Sequence, residues 1–144
     1  MDASTGLYFI THTMNRSFTK GQPCLAASSA VAEMWAIAKG LRYLLQQNIT
    51  TAGLLSDAKA SLSSLKGTGA NINGNAQALQ EHIRHLLSFF VNIILNFVNR
   101  SAVMKAHDIA RVARTRRTYV CAHYPLRSYK NIFVNCNKGI VMYP

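Results

Sequence analysis

Acidic side chains are scarce in this chain. Asp2, Glu33, Asp57, Glu81 and Asp108 stand against sixteen Lys and Arg in 144 residues, a formal net charge of +11. Such a field draws in polyanions, nucleic acid or an anionic membrane surface; an ordinary solvated basic surface has the same composition. Cysteine is also sparse: Cys24, Cys121 and Cys136 are odd in number and widely spaced, which fits neither a closed disulfide framework nor a zinc signature. A reducing, intracellular setting is expected, with nothing to separate nucleus from cytoplasm. Long apolar runs are missing as well. The longest, Leu86 to Val98, is broken by Ser88, Asn92 and Asn96 and is too short to span a bilayer. The start of the chain has no basic segment followed by an apolar one, so neither a signal peptide nor membrane association is expected.

What is present is an apolar fraction of 49%, enough to build a substantial core in one domain and inconsistent with disorder. Asp2 to Gly6 is turn-like, Leu7 to Thr13 is rich in β-formers, and Ser17 to Ala26 predicts the second strand of a hairpin. From Ser28 the period changes: Val31, Met34, Trp35, Ala38, Leu41, Leu44 and Leu45 recur at helical spacing, with Ser28 or Ser29 as the cap. Thr50 to Ser56 predicts a strand, Ala58 to Leu65 a short helix, and Gly67 to Asn75 a loop. A helix over Ala76 to Leu87, a strand over Phe89 to Val98 and a last helix ending near Ala113 complete the pattern. The order is that of an α/β fold with helices covering a mixed sheet. Residues 1–114 form the expected domain, and residues 115–144 a basic C-terminal tail with no clear period.

The acids fall at suggestive places. Asp57 ends a strand, at the edge of an α/β sheet where ligands usually bind. Glu33 lies early in the preceding helix, Asp2 opens the chain, and His107 and Asp108 share the last helix. Clustered carboxylates need a cation, and Mg²⁺ favours carboxylate, water and phosphate oxygens. Two such ions suit phosphodiester hydrolysis, one activating water and one steadying the leaving oxygen. Each residue also has an ordinary reading: Glu33 complementing a helix dipole, Asp57 capping a helix, Asp108 solvated, His107 packed on a surface. Spacing alone leaves the two readings level.

A resemblance tips the balance. Ser29-Ala30-Val31-Ala32-Glu33-Met34-Trp35-Ala36, Leu55-Ser56-Asp57-Ala58-Lys59, and Val98-Asn99-Arg100-Ser101 followed by Ala106-His107-Asp108-Ile109-Ala110-Arg111 resemble three signature blocks of the ribonuclease H-like superfamily. Within it they are most similar to the reverse-transcriptase-like, retroelement-derived domains (RNase H type 1) abundant in plants. Asp2-Ala3-Ser4 resembles the opening block and Gly6 to Ile10 the second strand, so the similarity runs from about residue 2 to 114. It implies a mixed five-stranded sheet flanked by helices. It also implies endonucleolytic cleavage of the RNA strand of RNA/DNA hybrids with two Mg²⁺ or Mn²⁺ ions. By position, Asp2, Glu33 and Asp57 match the first three metal-binding acids. In the family's Asn-x-x-Ala-Asp-x-Leu-Ala pattern the fourth acid falls on His107, as Ala-His does in many plant relatives, with Asp108 one residue on as the remaining candidate ligand. One residue turns a helical side chain by about 100°.

Two departures follow from the same comparison. Val103 stands where the family has Asn, and the first strand, central in the family's sheet, is expected to be truncated because only Met1 precedes Asp2. If the fold holds, Lys59, Lys66, Arg84, Lys105, Arg111 and Arg114 are candidates for phosphate contact, and Arg116-Arg117 with Tyr119 for non-specific binding. Three readings compete: a metal-dependent ribonuclease H, a catalytically degenerate nucleic-acid-binding remnant of a retroelement, and a basic structural protein whose acids are caps and surface charges.

Overall fold

A computed structural model gives the arrangement of the chain and describes residues 2–11, 16–26, 28–65, 74–125 and 141–143. Strand β1 (Asp2–Thr11) and strand β2 (Arg16–Leu25) pair antiparallel, from Asp2 opposite Leu25 to Thr11 opposite Arg16. The Ala3-Ser4-Thr5-Gly6 stretch, turn-like by composition, is strand instead. At Gly6 a helix presses on the strand. A Cβ on Gly6 would run into the carbonyl of Ala106, and one on Gly21, its partner across the pair, would meet the carbonyl of Ile109. Asp2 and the Gly6 to Ile10 run therefore belong to one strand, whereas the resemblance assigns them to two.

Helix α1 (Ser29–Gln46) begins where expected: Ser28 is extended, and its hydroxyl accepts from the Val31 N–H at 3.3 Å, satisfying one of the first turn's free donors. The helix stops at Gln47, and Asn48 adopts a left-handed φ of 58°, a conformation Asn tolerates. Its buried stripe of Val31, Met34, Ile37, Ala38, Leu41 and Leu44 joins Leu54, Leu62 and Ile83 in the main core. Each large side chain buried there contributes roughly 1.5–3 kcal/mol of transfer free energy.

Strand β3 (Thr51–Ser56) is buried from Ala52 onward. A crossover through α2 (Lys59–Leu65) and α3 (Gly74–Leu87) returns the chain as β4 (Asn92–Phe97), parallel to β3. A single 3₁₀ turn over Arg100–Val103 leads into α4 (Met104–Arg116), which ends at Arg117 with a left-handed φ of 51°. Val103 at the end of that turn is buried, and along α4 so are Ala106, Ala110 and Ala113, a stripe of small side chains that lets the helix lie close to Gly6 and Gly21. Thr5 is on the side of α1 and Gly6 on the side of α4, as strand alternation requires, so the two helices cover opposite faces of the sheet.

The segment 115–144 contributes two further strands. β5 (Val120–Pro125) pairs antiparallel with β2, and β6 (Val141–Tyr143) lies between β3 and β1. The sheet is thus six-stranded, in the order β4-β3-β6-β1-β2-β5, one strand more than the resemblance implies. β6 is antiparallel to β3, with Gly53 opposite Tyr143 and Leu55 opposite Val141, and parallel to β1, with Tyr8 opposite Val141. The place beside β3, where the resemblance puts a first strand carrying Asp2, is held by the far end of the chain. Residues 66–73 and 126–140, with Lys66, Cys136 and most of the expected loop, lie outside the described residues. Among the described residues, no helix is long and apolar enough to cross a membrane.

Candidate acidic centre and basic surface

Asp57 stands where the buried strand β3 gives way to α2. The turn there is held by its neighbours. The Ser56 hydroxyl accepts from Ala58 N–H at 3.0 Å, the Asp57 backbone carbonyl accepts from Lys59 N–H at 3.1 Å, and Val98 N–H bonds the Ser56 carbonyl at 2.9 Å. The Ser56 bond closes a tight turn just before α2 and does not involve the Asp57 carboxylate. Among the described residues, Oδ1 of Asp57 is buried with no hydrogen-bond partner. A carboxylate oxygen withdrawn from water without a donor is expensive, and such groups are rare in folded proteins. A cation or a ligand donor at Oδ1 would remove that cost.

The other acids are less committed to this point. Glu33 is half-buried on α1 and falls beyond its first turn, where the helix dipole acts weakly. Asp108 is exposed and lies 3.9 Å from Arg111 one turn on, a surface pair worth at most about 1 kcal/mol. His107 is half-buried, and the guanidinium of Arg100 contacts its ring nitrogens. The register expected from the last block thus turns His107 toward the 3₁₀ turn and Asp108 to solvent. Asp2 opens β1, and its side chain lies outside what is described. Among the described residues, no three or more His, Cys, Asp and Glu side chains gather as a metal group would require. Mg²⁺ is often held by only one or two carboxylates plus water and substrate phosphate, and the orphaned oxygen of Asp57 fits that mode.

The basic candidates scatter. Lys59 follows Asp57 on the exposed side of α2, its ammonium 5.7 Å from the centre of the Phe97 ring at the end of β4. Arg84 donates to the Ser64 carbonyl at 2.8 Å, beside Gln80, which donates to the same oxygen at 2.7 Å; its first task is to finish α2. Arg111 faces Asp108. Arg114 shares a cavity of about 360 Å³ with Arg117 and Cys24, and burial pushes the Cys24 thiol up from its usual range, against the opposing pull of Lys39. Lys105 lies on α4, its side chain outside what is described. Two features escaped the sequence: Arg100 against His107, and a grouping of Lys20, Lys39 and Arg42 with Tyr43 and Tyr119. The latter joins β2, α1 and the approach to β5, and only the spacing of Lys39, Arg42 and Tyr43 along one helix hinted at it.

This sheet order and helix placement, with an acid at the end of β3, define a ribonuclease H-like α/β fold. The N-terminal RNase H domain of a Mycobacterium tuberculosis protein is similar to it, with a TM-score of 0.62 and 17% identity over 81% of this chain and 95% of that one. RNase H1 from the halophilic archaeon Halobacterium salinarum has a TM-score of 0.63 and 14% identity over 80% of this chain and 98% of that one. At such identities the likeness is one of fold. A comparison with curated proteins finds no match. The reverse transcriptase-like family matches residues 9–113, and the chain belongs to that family.

Proposed function

We propose that this domain binds nucleic acid along its basic surface and hydrolyses the RNA strand of RNA/DNA hybrids with a divalent cation, Mg²⁺ or Mn²⁺, held at Asp57. The observation that carries the reading is the buried, unpartnered oxygen of Asp57 at the carboxyl end of β3, in a chain with five acids and a net charge of +11. Glu33 is the second carboxylate assigned to the cation, and Asp2 and Asp108 the further candidates. Bound there, the cation would supply an activated water and charge for the leaving 3′ oxygen. The protein's own part is to hold Asp57 rigidly, through the Ser56 and Asp57 turn, and to present Lys59 to a backbone phosphate. His107, contacted by Arg100, is the residue assigned to exchange a proton with the reacting phosphate or its water.

A second reading, a nucleic-acid-binding remnant of a retroelement without cleavage, draws on one observation. Val141–Tyr143, which fills the place beside β3, carries no carboxylate. The test is a Mg²⁺-dependent assay on a labelled RNA/DNA hybrid. Cleavage by the wild type that drops at least about 100-fold in Asp57→Asn supports the nuclease. Equal cleavage by both removes it, and salt-dependent hybrid binding with no cleavage selects the remnant.

A further inference from the structure

We infer that the cavity between α1 and β2 is a nucleotide-binding site, taking a phosphate on Lys20, Lys39 and Arg42 and an aromatic base against Tyr119. The cavity measures about 260 Å³ and lies between Lys20 on β2, Lys39, Arg42, Tyr43 and Gln46 on α1, and Tyr119. This is near the lower size of small-ligand sites. Three cations line this cavity, and among the described residues no carboxylate does. Lys39 and Arg42 repel one another, and an anion between them relieves that repulsion.

The groups are also held in place. The Lys20 ammonium sits 3.9 Å over the Tyr43 ring, and an Arg42 guanidinium nitrogen is 2.7 Å from Nε2 of His82, which fixes the fork without neutralising it. Desolvation pulls the pKa of both Lys39 and Lys20 down, so their charges are partly withdrawn from water, where contact with an anion counts for more. One face of Tyr43 is covered by Lys20, whereas Tyr119, its side chain hydrogen-bonded to Cys121, is 52% exposed at the mouth, where a planar base can stack on its ring. A phosphate alone would leave that ring unused.

The site is separate from Asp57 and does not rest on the hydrolytic reading. The test is calorimetric titration of the full chain with AMP, adenosine, inorganic phosphate and a 5′-phosphorylated tetranucleotide. AMP should bind at least tenfold more tightly than adenosine and than phosphate. Lys39→Gln should weaken it at least tenfold, Tyr119→Ala several-fold, and Asp57→Asn should leave it unchanged. A tetranucleotide binding at least tenfold more tightly than AMP makes the ligand a strand end, and equal affinity makes it a free nucleotide. Adenosine binding as well as AMP, or the same AMP affinity in wild type, Lys39→Gln and Tyr119→Ala, would overturn the assignment.

Discussion

Asp57 stands just before a helix, in a turn whose side-chain bond comes from its neighbour Ser56, which accepts from Ala58 N–H. Oδ1 of Asp57 is buried and, among the described residues, unpartnered. Such a group costs stability until something binds it. In metal-free buffer, Asp57→Asn should therefore stabilise the fold by roughly 1 kcal/mol, since an amide loses less than a charge on burial. Mg²⁺ at a hundred times its dissociation constant should stabilise the wild type by about 2.7 kcal/mol, seen as a raised midpoint of thermal unfolding, and leave Asp57→Asn unmoved. Asp108 lies at the opposite extreme. Exposed and loosely paired with Arg111, it should tolerate Asp108→Ala with a change below about 0.5 kcal/mol in chemical denaturation. Asp57 could be singled out in the sequence because carboxylates are few and because the Leu55-Ser56-Asp57 block ends an apolar run. Its missing partner could not, since that depends on which donors the fold brings to the end of β3.

Local period and capping decide some elements, and contact with a distant element decides others. The start of α1 is readable to within a residue because its apolar stripe and Ser28 cap are local. Ser28→Ala should cost about 1 kcal/mol. The start of β1 reads as a turn because Ala3 to Gly6 has poor strand propensity; pairing with β2 makes these residues strand, and α4 requires a residue without a side chain at Gly6. The pairing of Gly6 with Gly21 under α4 makes a sharp prediction. Gly6→Ala puts a methyl group into the Ala106 backbone, so α4 must lift, at a cost of about 1–3 kcal/mol. The same change at Gly40, in the interior of α1, supplies a comparison in which helix propensity favours alanine.

Across the whole molecule, the least legible feature is the route of the last thirty residues. Nothing periodic marks Val120–Pro125 or Val141–Tyr143, yet one extends the sheet beyond β2 and the other closes it between β3 and β1. Strand pairing over such sequence distances is set by which backbone edges stand open, and that is invisible in a local pattern. Met142, opposite Leu54 and Phe9, is central to this closure. Met142→Pro removes a ladder donor and should destabilise the domain by about 1–2 kcal/mol, with faster hydrogen exchange at the β3 amides. The basic shell and the family block at Asp57 were legible because charge and short motifs survive without context, whereas the cavity beside Tyr43 needed the fold to bring β2 and α1 together. What unites these features is a ribonuclease H-like sheet with a buried, unpartnered carboxylate oxygen at the end of β3, the place proposed above for a cation. Paramagnetic broadening of the amide resonances by Mn²⁺ tests that most directly. Broadening that begins at Ser56, Ala58, Lys59 and Val98 in the wild type and is lost in Asp57→Asn is the predicted result; broadening that spares these residues, or that persists unchanged in Asp57→Asn, would contradict it.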